Sequence, residues 1–402
     1  MTTKNKQDVL LQAHAGFSVE KIETTASAEK LHSIWNSLLS LSQTKTIELT
    51  YEWQMTYWSH FNRKSKLFIL VVKEFDEIIG IAPLKITSLR KYGIKIRKIE
   101  FIAAKESNYQ DLIIGRSCEN VIRSILDYLL IHKGKWDVLT LSHMPQDSKV
   151  CQFLLNNLSP SLFPRVSHVD KCISLNIEKS WSEYENSLSS KAMANLRNRT
   201  KRLEKLGKLE SFRCVDEKDF KIYMNKFFEL HRKRWRGTET PSQFKDERSC
   251  AFYLDIIPKL LPKDQIEFYV LEMAKKPLAF LIASVYNNNY LIQLIAYDID
   301  YSKYAPSAIL HHNFVKDIFI REGNVLDFGY YYPYKAVWAN HIKEKLHIEI
   351  YKKGTTVSNL IYILSNIDSY IRSKLRNITP LRRLVVFINK KIGELKSNAI
   401  NF

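Results

Sequence analysis

The chain of 402 residues has no run of about 20 apolar residues, so no segment is expected to cross a membrane as a helix. Its five cysteines (Cys118, Cys151, Cys172, Cys214 and Cys250) are scattered, odd in number and free of C-x-x-C spacing. That pattern predicts neither a disulfide framework nor a zinc site, and it fits a reducing compartment. The N-terminus lacks the apolar core of a signal peptide, which makes the cytoplasm the expected location. No long paired heptads occur, so no coiled-coil arm is predicted. Acids are the scarce charge: 42 Asp and Glu stand against 61 Lys and Arg, a net charge of +19. Such an excess favours polyanionic partners, whether nucleic acid, an anionic membrane face or a phosphate-bearing cofactor, and says nothing about fold.

What is present is the composition of a globular protein, 45% hydrophobic and 12% aromatic, long enough for two or three domains. Residues 1–16 read as a polar lead. Ala28–Leu41 has helical apolar spacing, and a second helical stretch holds Trp53, Tyr57, Trp58 and Phe61, aromatics expected in a core. Leu67–Lys73 and Ile78–Ile86 read as a hairpin turning at Phe75-Asp76-Glu77.

The hairpin recurs at Phe268–Met273 and Pro277–Val285, around Ala274-Lys275-Lys276. A second echo sets helix Val121–His132, Gly134 and strand Trp136–Leu141 against Ile309–Arg321, Gly323 and Val325–Phe328. Two matches in the same order, about 190 residues apart, predict a duplicated α/β unit. The expected layout is a lead at 1–16, a first domain at 17–176, a second at 177–353 and a helical tail at 354–402. Helix Ser189–Leu206 opens the second half and is crowded with Lys191, Arg197, Arg199, Lys201, Arg202 and Lys205. In the tail, Val357, Leu360, Ile361, Leu364, Ile367, Ile371 and Leu375 share a helical face. A second amphipathic piece follows Pro380. Basic amphipathic helices suit either an anionic membrane surface or packing on protein.

Several short motifs stand in a fixed order: Gly80-Ile-Ala-Pro-Leu, Leu196-Arg197-Asn198-Arg199, Leu230–Trp235, Tyr297-Asp298, Ala305-Pro306-Ser307-Ala308, Asp327-Phe328-Gly329, Tyr334-Lys335 and Trp338. Over about residues 25–350 this series resembles the CelD-like group of GNAT-type N-acyltransferases, linked to cellulose and exopolysaccharide biosynthesis. The resemblance implies an α/β (α+β) architecture: tandem GNAT-like domains, each a mixed central sheet flanked by helices, plus the helical tail. The first domain lacks an evident anion loop before Val121 and is expected to be degenerate.

The resemblance also implies acyl transfer from acyl-coenzyme A, without a metal, to an amine on a small molecule or glycan precursor, such as an amino sugar or envelope precursor. Ala305, Pro306, Ser307, Ala308 and Lys335 would then hold the cofactor. Related loops carry Pro-Gly where this chain has Pro306-Ser307-Ala308, so Ser307 is expected to cap the helix and offer its hydroxyl to phosphate. The base is Asp327, Asp298 or His231, and Tyr297, Tyr304 and Tyr334 are candidate acids. Arg234, Trp235, Tyr297 and Trp338 are expected to contact substrate, Arg234 as a phosphate ligand. Fem-type peptidyltransferases, which also double this fold but take an aminoacyl group from tRNA, are the alternative. A basic binding module on membrane or nucleic acid is the non-enzymatic reading.

Overall fold

A computed structural model describes residues 16–376. The first half runs β1 (Phe17–Ile22), α1 (Thr25–Glu29), α2 (His32–Leu41), α3 (Tyr51–Phe61), β2 (Ser65–Leu67), β3 (Ile69–Glu74), β4 (Glu77–Ala82), β5 (Leu84–Lys91), β6 (Ile94–Phe101), β7 (Ile113–Ile114), α4 (Cys118–Ile131), β8 (Val138–Pro145), α5 (Lys149–Asn156) and β9 (Leu162–Asn176). After α6 (Trp181–Ser187) and α7 (Ser190–Glu204), the second half follows a similar outline with fewer strands and helices. It runs β10 (Leu209–Cys214), α8 (Glu217–Arg234), α9 (Glu247–Leu260), β11 (Ile266–Met273), β12 (Lys276–Tyr286), β13 (Asn289–Tyr297), α10 (Pro306–Ile320), β14 (Val325–Tyr330), α11 (Pro333–Ala336) and β15 (His341–Lys352), and α12 (Thr356–Arg376) follows.

Local chemistry accounts for many of these boundaries. Ser180 and Glu183 form a reciprocal capping box on α6, while Asp216 and Asp246 cap α8 and α9. Ala274 and Lys275 both take positive φ, the backbone of a two-residue hairpin turn. Where one strand was expected over Ile78–Ile86, Pro83 divides it. Proline has no ladder donor, so β4 stays in a four-stranded sheet while β5 crosses into an eleven-stranded one. The expected helix Ala28–Leu41 is likewise two pieces, parted by a tight turn in which Leu31 N–H donates to the Ala28 carbonyl.

The large sheet has the order β10-β11-β12-β13-β14-β9-β15-β8-β6-β5-β2. Its centre is an exchange: β9 of the first half pairs with β14 of the second, β15 of the second pairs with β8 of the first, and the two exchanged strands pair with each other. The halves therefore share one sheet through β9 and β15. They also share a core, in which Trp53 of α3 meets Phe252 of α9 edge-on at 5.1 Å. Trp53, Tyr57 and Trp58 of α3 are buried core residues, as their spacing predicts, and Phe61 packs half-buried against that core.

The two glycines that echo each other in sequence differ in space. A Cβ on Gly323 would lie 2.5 Å from Ile318 Cγ2 and 2.9 Å from the Tyr290 ring, whereas nothing lies within 4 Å at Gly134. Gly323→Ala is expected to cost about 1–3 kcal/mol by overpacking, and Gly134→Ala under about 0.5 kcal/mol. Paired urea melts check the contrast.

The tail helix α12 docks through Ser358, Ile361 and Ser365, and Arg165 bonds Asn366 across that contact. Leu360, Ile367 and Ile371, expected on the same face as Ile361, are exposed instead. The small serines allow close approach to the sheet and rotate the buried face away from them. The stretch after Pro380 lies outside the described residues, as do residues 1–15.

Candidate active site

Strands β13 and β14 run parallel but are bonded through three residue pairs only: Asn289–Val325, Tyr290–Leu326 and Leu291–Asp327. Beyond Leu291 they part, which leaves the β13 edge from Ile292 to Tyr297 unpaired on that side. Unpaired backbone groups inside a fold seek partners, so this opening is suited to a ligand that supplies them. The chain leaves β13 at Tyr297 and enters α10 at Pro306, which places the start of α10 at the splayed end.

Ala305 forms the junction in left-handed geometry (φ 52°, ψ 54°), with Pro306 as the first helical residue. Ser307 is the second helical residue and makes no capping bond, contrary to the capping role expected of it. Pro306 has no N–H, and the N–H groups of Ala308 and Ile309 already reach the Ala305 carbonyl. Ser307 therefore offers the free N–H of this first turn among the described residues. The first half repeats the junction: Ser117 precedes α4 at φ 52° and ψ 43°. A turn of the same backbone geometry thus stands before Val121. Sequence hid it because the turn is a backbone conformation with no fixed residue type.

Around the opening stand several of the expected residues. The Arg234 guanidinium lies 4.6 Å from the Tyr297 ring centre and 5.1 Å from that of Trp235, and its charge acts on the exposed Tyr334 side chain. Lys335 Nζ donates to the Phe328 carbonyl at 2.6 Å. Burial lowers the Lys335 pKa to about 8, Arg234 adding to the effect while Asp327 and Cys172 oppose it. On the α7 side, Arg202 lies 5.6 Å from the ring centre of Tyr304, and Arg197 and Lys201 line a groove of about 400 Å³ against His312 and Asn313. Positive charge therefore approaches the start of α10 from two directions.

The other expected residues have structural partners. Asp327 accepts from Tyr109 O–H at 2.6 Å and from Gly329 N–H at 2.7 Å, the latter holding a turn at φ 71°. Asp298 caps the turn before Ala305 and pairs with Lys233 at 2.9 Å and Lys276 at 3.3 Å. Burial opposes its charge, yet these bonds hold its carboxyl below the usual range. His231 bonds Ser242 through Nδ1 at 2.8 Å among Phe227, Phe244 and Trp235, and burial lowers its pKa to about 4. Trp338 packs on His311 and His312, with its carbonyl accepting from Tyr184 O–H.

Two groups escaped the sequence reading. His311 is 6% exposed, both ring nitrogens lack hydrogen-bond partners among the described residues, and its ring lies between Phe328 and Trp338. Burial, then Lys335 and His312, lower its pKa to about 3, so it is neutral near pH 7. It sits one helical turn after Ser307, a spacing that carries no motif. Glu48 is fully buried and accepts from Asn108 and Tyr109 in its own half and from Gln293 on β13. Beside it, a cavity of about 350 Å³ lies between the halves, lined by Thr44, Tyr109, Asp147, Asp327 and Lys343 among others.

Residues 190–336 match the profile of the acetyltransferase (GNAT) domain. The chain superposes on FemX with a TM-score of 0.59 and 12% identity, covering 86% of this chain and 99% of that one. The fold is that of paired GNAT domains. A tandem GNAT protein from the clavulanic acid biosynthesis pathway follows at TM-score 0.48 and 10% identity, over 84% of this chain and 100% of that one. L-PGS from Bacillus licheniformis stands at 0.45 and 12%, over 83% and 96%. No curated protein matches the chain. Within the GNAT frame, β13 and β14 are the parting strands of the second unit, and no helix among the described residues is long and apolar enough to cross a membrane.

Proposed function

We propose that the chain is an N-acyltransferase that moves an acyl group from acyl-coenzyme A to an amine. The parting of β13 and β14 beside the start of α10 carries this reading. In it, the thioester lies across the opening, and a backbone N–H of β13 holds the oxyanion that forms as the amine attacks. The pyrophosphate meets Ser307, with Lys335, Arg234 and Arg202 supplying charge. As the C–S bond breaks, Tyr334 gives its proton to the leaving thiolate, and the amine proton passes to water. Asp327, Asp298 and His231 serve as positioning residues in this scheme, since each is committed to a structural bond.

The CelD-like resemblance supports an acceptor amine on an amino sugar or envelope precursor. The exposed Leu360, Ile363, Ile367, Tyr370 and Ile371 on α12, with Arg372 and Lys374, support peripheral contact with the inner face of an anionic membrane.

One observation favours a second reading. The first turn of α10 offers a single free N–H, a sparse cradle for a pyrophosphate, whereas the exposed basic face of α7 suits a nucleic-acid backbone. In that case aminoacyl-tRNA is the donor, as in Fem-type enzymes. Calorimetry with acetyl-coenzyme A, a longer acyl-coenzyme A and tRNA separates the two. Saturable acyl-coenzyme A binding, weakened in Lys335→Ala, supports the first. Salt-sensitive tRNA binding with no acyl-coenzyme A binding overturns it.

A further inference from the structure

At the centre of the sheet three side chains from three strands converge: His143 on β8, Asp170 on β9 and His347 on β15. One donor atom of each lies within 4.8 Å of the others. His347 Nε2 bonds Asp170 Oδ2 at 2.7 Å, and His168 Nε2 lies 2.9 Å from Asp170 Oδ1. The His143 and His347 rings are 4.5 Å apart, centre to centre.

The backbone is shaped to bring His143 there. β8 pairs Met144 with Leu346 but Leu141 with Ile348, so an extra residue bulges at Ser142-His143. His143 itself is held at φ 63°. Left-handed backbone is uncommon for a residue with a side chain, and bulges re-aim side chains. Among the described residues, His143 Nδ1 is buried without a hydrogen-bond partner. A buried orphan nitrogen calls for a partner that the described residues do not supply.

Two imidazoles and one carboxylate suit zinc and its first-row neighbours, while calcium and magnesium prefer all-oxygen shells. We propose that His143, Asp170 and His347 bind one divalent transition ion of the zinc type. The site draws one ligand from β8 and one from each of the exchanged strands, so the ion pins the strand exchange that joins the halves. Ligand distances of about 2.0–2.2 Å imply donor separations of about 3.4 Å. Asp170 and His347 therefore part slightly, His143 closes in, and His347 moves its remaining proton to Nδ1. His168 stays on the other oxygen of Asp170, orienting it. Lys345, two residues before His347, keeps its ammonium on the Asn108 carbonyl, over the Tyr330 ring, and does not occupy the site. The cysteine pattern is silent about such a site, because its ligands are histidine and aspartate from distant strands.

The test uses the metal-stripped full chain without a histidine tag, titrated with Zn²⁺ against a chromophoric chelator and with Co²⁺ by its visible d–d bands. One equivalent should bind saturably and raise the thermal midpoint. His143→Ala, His347→Ala and the near-isosteric Asp170→Asn should each weaken binding more than about tenfold, since even outer partners of a metal ligand contribute that much. His60→Ala, which removes a histidine elsewhere, should bind as the parent does. If His347→Ala does not fold, the Asp170→Asn and His143→Ala results decide. Absence of stoichiometric binding, or unchanged binding in folded Asp170→Asn and His143→Ala, overturns the proposal and leaves a plain histidine–aspartate hydrogen-bond cluster.

Discussion

Glu48→Ala is expected to cost about 4 kcal/mol of stability and to abolish whatever transfer the second half performs. The Glu48 carboxylate accepts from Asn108 N–H at 2.7 Å, Asn108 Nδ2 at 3.1 Å, Tyr109 N–H at 2.8 Å and Gln293 Nε2 at 3.0 Å. Alanine leaves these donors facing a hole, and each unsatisfied buried group costs about 1–3 kcal/mol. Part is recovered where Gln293 keeps its bond to Ser284 Oγ. The loop that loses its anchor also carries Tyr109, which holds Asp327, so loosening spreads from the interface between the halves to the floor of the opening. Urea unfolding of Glu48→Ala and Glu48→Gln reads the effect. Glutamine keeps one acceptor oxygen and should fall between alanine and the parent. A loss under about 1 kcal/mol in the alanine variant would contradict this account.

Glu48 also predicts a pH signature. Burial raises its pKa above the ordinary value of 4.5, against the hydrogen bonds that lower it. An acid whose folded pKa is raised contributes most to stability below its unfolded pKa, and that contribution is lost as pH rises toward the folded value. The stability of the parent relative to Glu48→Gln should therefore fall with rising pH above about 4.5 and level off once Glu48 is ionised.

The contrast between Glu48 and the hairpin β11–β12 shows what sequence makes legible. The hairpin β11–β12 follows from apolar runs and turn residues close together in the chain, and so does the duplication. Glu48 sits in a short turn between helices and carries no local signal; its role exists because Asn108 and Gln293, up to 245 positions away, fold against it. Asp327 was visible as a strand-end carboxylate, but its partner Tyr109 lies 218 positions earlier, so a structural bond read as candidate chemistry. The exchange of β9 and β15 is similarly hidden. Both strands have ordinary patterns, and which neighbour each chooses is decided by the packing of whole halves.

Lys335 carries the other large expected effect. In Lys335→Ala, binding of acetyl-coenzyme A should weaken by about ten- to hundredfold, since a hydrogen bond to a charged group contributes about 1.5–3 kcal/mol. The pH dependence tells this role from a merely structural one. Burial lowers the Lys335 pKa to about 8, so the ammonium is charged at pH 7 and is lost above pH 8. Affinity of the free protein for acetyl-coenzyme A should then fall about tenfold per pH unit above 8, because each unit removes a further factor of ten in the charged form. Arginine stays protonated throughout this range, so Lys335→Arg should remove the alkaline fall even if its absolute affinity is lower. His231→Gln serves as the control: the His231 ring is bonded to Ser242, so the alkaline limb should survive in it. A parent profile that is flat to pH 9.5, or an alkaline limb retained in Lys335→Arg, would show that this ammonium does not hold the donor, leaving Arg234 and the α7 cations as the charge that does.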